Sequence, residues 1–438
     1  MKYLMLSFAV AASITTFAAG AEAPNVYAIR GARIVTGAGA PIESGTVVIR
    51  RGLIEAVGAN VTIPSDADVI EGKGLSVYPG LIDLGNTKAA AQPMPPEPQN
   101  VKTTAELERW KRAQILKPQA RAADAVKIDD PELRKLAAAG ITSALAVPSG
   151  DVVAGQSALI NVATDGEPPQ ISNVVDSGRS FVIRTPVALH VSFPDHPRPA
   201  GSAYPESLMG VIAFVRQAFL DAQHYHDAPT PTDPSLEALQ PAIDRKLPVA
   251  FEANQAREIL RVLKLARELK LDPIVTGARD AEEVAGDLKA QNVRVVFSLN
   301  FPQRPKSLAP DADESLRVLR ERATVPTVPA ALAKAGVPFA FESAGLGDPK
   351  DFVRNAAKAV KAGLAEDAAI RALTIGAASI AGVGDRLGSI EKGKIANLIV
   401  TDGDLFAEKT KVTRVFIDGR DMALTAEPAP TAPRRNVG

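Results

Sequence analysis

The sequence predicts an α/β protein, a (β/α)8 barrel carrying a small composite β-sandwich domain formed by both chain ends, and three observations lead there. From Pro79 to about Gly384, β-prone runs alternate with helical ones, a rhythm that demands parallel strands joined by right-handed crossovers. Short β-prone runs without helices precede that region, and the same texture returns after it. The alternation lasts roughly 300 residues, which suits one closed barrel better than an open doubly wound sheet.

The chain opens with Met1 and Lys2, an apolar stretch from Leu4 to Ala19 and the small-residue site Ala21-Glu22-Ala23, the pattern of a cleaved secretory signal over residues 1–23. Ser13, Thr15 and Thr16 interrupt the stretch, and it is short for a bilayer span of about 20 residues. A periplasmic or secreted protein without a membrane span after cleavage is expected. The first β-prone runs are Val26–Val35, Thr46–Arg50, Leu53–Val57 and Val69–Tyr78, with Arg51-Gly52 at a hairpin tip. Similar runs return in Gly388–Asp402 and Val412–Asp418, so residues 24–78 and 386–424 are expected to share one β domain beside a barrel of residues 79–385. Within the barrel, Pro248–Phe251 reads as a strand. Gln255–Lys270 follows as a helix with Ile259, Leu260, Leu263, Ala266 and Leu269 on one side. Pro273–Val275, Val293–Leu299 and Val337–Phe341 read as further strands, and a helix follows with Asp348 as N-cap, Pro349 first and Gly363 past its end. The Pro- and Ala-rich residues 425–438 lack periodicity and are expected to be disordered.

Composition removes several function classes. Fifty Lys and Arg cancel fifty Asp and Glu, so no broad positive field recruits nucleic acid. With no Cys, disulfides, thiolate metal sites and cysteine nucleophiles are all excluded. The imidazoles number four: His190, His196, His224 and His226. Gly388–Lys394 spells G-x-x-x-x-G-K, but Ile395 follows where a phosphate loop needs a hydroxyl for magnesium. There is no G-x-S-x-G elbow, and Gly37-Ala38-Gly39 lacks the third Gly of a dinucleotide fingerprint.

Two motifs carry a resemblance. Val77-Tyr78-Pro79-Gly80-Leu81-Ile82-Asp83, entered from a β frame, resembles the first-strand signature of the metal-dependent amidohydrolase superfamily, particularly its imidazolonepropionase-like branch. Leu387–Val400, which contains Gly388-Ser389-Ile390-Glu391-Lys392-Gly393, resembles the closing signature of the same superfamily, where the chain rejoins the β frame. The resemblance implies one or two divalent ions, held by His and carboxylate at the C-terminal ends of the barrel strands, that activate a water for hydrolysis. It also implies Asp, any residue, His, any residue, His after the first strand, whereas Asp83 is followed by Leu84, Gly85, Asn86 and Thr87. The fifth- and sixth-strand imidazole positions fall on Glu252 and Gly277, and the eighth-strand Asp position falls near Ala344. The bridging Lys of the fourth strand should lie near Pro186–Val191, which contains none. This chain is therefore expected to be a divergent member that lacks the usual metal ligands.

The remaining imidazoles offer no alternative metal centre. His224 and His226 are two apart at the end of the helical run Leu208–Asp221 and point away from each other. His196 lies in the Pro-rich loop Pro194–Pro199. His190 ends the apolar strand Val187–Leu189, so it is either a hydrogen-bonded core residue or a group aimed into the barrel mouth.

At the expected mouth stand Glu252, Asn254, Arg279, Asn300, Arg304 and Glu342. Two arrangements follow: these groups hold a small zwitterionic or amide ligand, or Arg279 pairs with Glu252 or Glu342 and plugs a vacated site. The first functional reading is a non-catalytic binding module or a partner subunit of an active homologue, in a homo- or hetero-oligomer. The alternative is a hydrolase of amide or cyclic-amide C–N bonds with a rebuilt site, using Glu252, Glu342 and His190 as catalytic groups and Asn254, Arg279 and Asn300 as ligand-binding ones. No cofactor is expected under the first reading, and a divalent metal such as zinc enters only under the second.

Overall fold

The computed structural model describes residues 26–90, 102–126, 131–148, 150, 152–162, 181–194, 205, 207–227, 232–305, 307–309, 311–422 and 424. The expected signal, the expected disordered tail and His196 lie outside these residues.

The first five strands are β1 (Val26–Ile34), β2 (Ile42–Arg50), β3 (Leu53–Gly58), β4 (Asp68–Glu71) and β5 (Ser76–Pro79). The next ten are β6 (Leu81–Asn86), β7 (Ile141–Ala146), β8 (Val153–Gln156), β9 (Ala158–Asn161), β10 (Val182–Arg184), β11 (Leu189–Val191), β12 (Val249–Ala253), β13 (Pro273–Gly277), β14 (Arg294–Ser298) and β15 (Phe339–Glu342). The last three are β16 (Leu398–Thr401), β17 (Val412–Ile417) and β18 (Arg420–Met422).

β1–β5 and β16–β18 hydrogen bond into one sheet of order β18-β17-β16-β5-β1-β2-β3, with β4 on β1. The two chain ends meet where Ile399 stands opposite Tyr78 and Val400 opposite Val77 in an antiparallel ladder. Asn397 ties this sheet to the strands beneath it: its Nδ2 donates to Asn161 Oδ1 at 2.7 Å and Ser143 Oγ at 3.1 Å, and its Oδ1 accepts from the Asp418 N–H at 2.8 Å. Both amide donors and the amide oxygen are engaged, which explains why an Asn rather than an aliphatic residue fills this core position.

The inner region departs from the expected closed (β/α)8 barrel in two ways. β11 to β15 are parallel neighbours separated by helices, and β6 and β7 pair in parallel. Between these arcs runs Val153–Asn161, broken only at Ser157, whose first half lies antiparallel to β11 and whose second half lies antiparallel to β7. An antiparallel run thus stands where the barrel pattern asks for a parallel strand with its own helix. Secondly, no ladder joins β15 to β6 among the described residues, although the two strands are in contact. Side chains hold that seam instead of backbone bonds.

Strand alternation decides what faces the interior. Phe251, Phe297 and Phe341 are fully buried in the layer between strands and helices, while Ala250, Ile274, Val296 and Ala340 pack together inside the ring. The next residues of the same parity are Glu252, Thr276, Ser298 and Glu342, with Glu252 opposite Thr276 and Ser298 opposite Glu342. A period of two therefore converts an apolar floor into a polar rim at the C-terminal strand ends.

Several local expectations shift. The helix after the fourth strand extends over Leu208–Asp227, carrying His224 and His226 on its last turn, where His226 Nδ1 lies 3.0 Å from Gln240 Oε1. The helix expected to begin at Pro349 spans Lys350–Lys361, with the Asp348 carboxylate accepting the Lys350 N–H at 2.9 Å.

Candidate functional site

The polar rim surrounds a cavity of about 270 Å³ whose lining includes Thr87, His190, Ser192, Glu252, Thr276 and Glu342. The structure thus brings the three expected catalytic candidates to one place. Thr87, Ser192 and Thr276 were not singled out from sequence, yet continuing the alternation from Ile274 would have identified Thr276.

His190 resolves in favour of the mouth. Its Nε2 is buried without a hydrogen-bond partner among the described residues, and desolvation lowers its pKa to about 4. The ring is neutral at physiological pH and presents an unused acceptor or donor to the cavity. A buried polar atom left unpaired costs about 1–3 kcal/mol, so a ligand that pairs with it gains correspondingly.

Glu342 is buried beside two other carboxyl groups. Burial pushes its pKa well above 4.5, the nearby charges of Asp83 and Glu252 add to the shift, and the backbone N–H of Gly277 opposes it. The shift favours the neutral form of the carboxyl, which can donate a hydrogen bond. Gly85 makes room for it: a Cβ there would stand 2.6 Å from the Glu342 Cβ. Glu252 reaches from the wall into the mouth, solvent-accessible yet ringed by protein. Partial desolvation raises its pKa, the charge of Glu258 adds to this, and Arg279 works against it.

Asp83 has the opposite character. It is fully buried at the seam between β6 and β15, where its oxygens accept from the Ser343 N–H at 2.8 Å, Ser343 Oγ at 2.6 Å, Gly85 N–H at 3.1 Å and Asn86 Nδ2 at 3.2 Å. Burial raises its pKa, and these four donors, led by Ser343, resist that rise. The Asp that closes the motif Val77–Asp83 is employed here as a staple across the open seam.

The expected ligand-binding residues lie elsewhere. Arg279 pairs with Glu321, Nη1 to Oε1 at 3.1 Å, and Arg304 pairs with Glu314 at 2.7 Å. The expected arginine plug is thereby corrected: neither Glu252 nor Glu342 receives a guanidinium, because each arginine finds a carboxylate on or beside the helix Leu316–Thr324. Asn254 packs against Gly277 and Asn300 against Gly345, and neither amide lines the cavity.

The donor set does not fit a catalytic divalent ion. Among the described residues no group of three His, Asp or Glu side chains is disposed to hold a metal ion. Asn86 spends its Oδ1 on the N–H groups of Lys88 and Ala89, at 3.0 and 2.9 Å. The sixth-strand position is Gly277 at φ +83°, a left-handed conformation, and a Cβ there would stand 2.6 Å from Asn254 Oδ1. The backbone itself therefore disfavours a ligating side chain at that place.

Comparison with known proteins agrees with this architecture. Residues 237–422 match the amidohydrolase family. Amidohydrolase tasK of Hapsidospora irregularis is 24% identical over 403 residues, which is 86% of this chain and 39% of that protein. The chain thus spans about two fifths of that curated relative's length. An amidohydrolase from Thermotoga maritima MSB8 superposes with a TM-score of 0.72 at 24% identity, covering 91% of this chain and 99% of the other. A prolidase complexed with N-methylphosphonate-L-proline superposes with a TM-score of 0.55 at 18% identity, covering 91% and 99%. At these identities the structural likeness speaks for the fold.

Proposed function

We propose that this chain, a member of the amidohydrolase superfamily by its family match and its fold, is a metal-independent binding module for small neutral amides. Our reading assigns it to the imidazolonepropionase-like branch on the motif Val77–Asp83, and to the cell envelope on the leader Met1–Ala23. The observation that carries the functional reading is the donor set at the strand ends, which offers acceptors and a neutral acid in place of an imidazole cage.

The cavity's chemistry selects the ligand. An amide N–H finds acceptors in His190 Nε2 and the Glu252 carboxyl, while its carbonyl accepts from the protonated Glu342. A ligand carboxylate meets the carboxyl groups of Glu252 and Glu342 with no Lys or Arg in the cavity lining, which disfavours it. The family name amidohydrolase and the prolidase neighbour agree with amide chemistry without naming this chain's ligand. In this reading the protein acts alone or as the partner subunit of an active relative. Calorimetric titration of 2-pyrrolidinone and of its ring-opened amino acid into the purified protein is the test. Saturable binding of the lactam, at least about tenfold tighter than that of the open acid, is expected. Equal affinity for the two, or tighter binding of the acid, contradicts the reading.

One observation favours a second reading, metal-free hydrolysis of a C–N bond. Glu342, whose pKa burial raises, the accessible carboxyl of Glu252 and the neutral imidazole of His190 line one cavity and form the kind of acid–base set that hydrolysis employs. Release of a carboxylate from a cyclic amide in the presence of a chelator, lost in Glu342→Gln, would establish it.

A further inference from the structure

A second hollow lies away from the mouth. It measures about 570 Å³ and sits where the helix Lys350–Lys361 faces the loop between β16 and β17. Its apolar lining comes from Val353, Ala357, Leu405, Phe406 and Val412, with Leu405 only 5% exposed. Its rim is basic. Lys350, Arg354, Lys358 and Lys361 recur along one face of the helix, at spacings of four, four and three, and Lys411 stands on the opposite loop.

Two facts separate this from an ordinary solvated helix face. Arg354 is paired with Asp351, but Lys350, Lys358, Lys361 and Lys411 have no ion-pair partner among the described residues, and Glu408 is the one acid in the lining. The whole chain is balanced at fifty basic and fifty acidic residues, so this excess is local. Four unpaired ammonium groups around one concavity repel each other, and an anion seated among them relieves that repulsion. The volume falls within the range of about 300–1,000 Å³ typical of small-molecule sites, which argues for a small ligand over a docked protein face.

We propose that this hollow binds an amphipathic carboxylate, an apolar chain or ring lying over Phe406 and Leu405 with its charged end held by the lysine rim. The site is independent of the barrel mouth, since none of its lining residues is shared with it.

Calorimetric titration of dodecanoate, below its micelle concentration, into the full chain tests this, with dodecanol and dodecylammonium as comparison ligands. One saturable site for dodecanoate is expected, with dodecylammonium failing to compete. The double variant Lys358→Glu/Lys361→Glu, both positions being exposed, should fold normally and weaken dodecanoate by at least about tenfold. Raised salt should weaken binding in the wild type and not in the variant. Absence of saturable binding, equal affinity for dodecanoate and dodecanol, or undiminished binding by the folded double variant would each overturn the proposal.

Discussion

Replacing Glu342 with Gln removes one ionisable group from the rim of the mouth and leaves an amide oxygen for the Gly277 N–H. The carboxyl's pKa is raised on folding, so the native state holds the proton more tightly than the unfolded chain does. Stability from this group is fully present below the ordinary value of 4.5, and it is lost as pH rises through the raised native value. One proton released in that window changes the unfolding free energy by about 1.4 kcal/mol per pH unit. With an unfolding entropy near 2.1 cal/mol/K per residue, a chain of this size shifts its midpoint by about 1.5 °C for that energy. Thermal unfolding of wild type and Glu342→Gln at half-unit steps from pH 5 to 8 provides the assay. The variant should gain on the wild type by about 1.5 °C per pH unit at the start of the series, the difference levelling off once Glu342 is ionised in both states. Parallel curves across the whole range would refute the assignment of a neutral buried carboxyl.

Two further outcomes follow from the same geometry. The His190 ring should remain neutral from pH 8 down to about 5 and titrate near 4, as read from its ring carbon shifts; because the native value is depressed from 6.5, this group costs stability as pH falls from 6.5 towards 4. Titration near 6.5 would place the ring in water. Asp83→Asn should lower stability by about 2–4 kcal/mol, since its new amide donor faces the donors of Ser343 and Gly85, while Ser343→Ala should cost about 1 kcal/mol; denaturant midpoints measure both, and a neutral Asp83→Asn would contradict the staple across the seam.

How much was legible in the sequence depends on the range of the interaction. The parallel strands from Val249 onward follow from local periodicity, because each buries one face against its own helix. The run Val153–Asn161 was missed: its polarity is set by distant partners, β11 and β7, and no local pattern records that. At the site, Glu252, Glu342 and His190 were found because they stand at or one residue before the C-terminal ends of strands, which border the mouth. Arg279 and Arg304 were misplaced because a long side chain swings toward whichever carboxylate is nearest, here Glu321 and Glu314, which lie 42 and 10 residues along the chain. The role of Asp83 was hidden for the same reason, since its chief partner, Ser343, is 260 residues away.

Elemental analysis weighs the metal-free account of the mouth most directly. Protein isolated without chelators, then incubated with excess zinc or manganese and passed through a desalting column, should emerge with far less than one metal ion per chain, and the amide titration should be unchanged by EDTA. A full equivalent that survives desalting and is lost together with amide binding in Glu252→Gln would contradict the account and restore a metal to the rim.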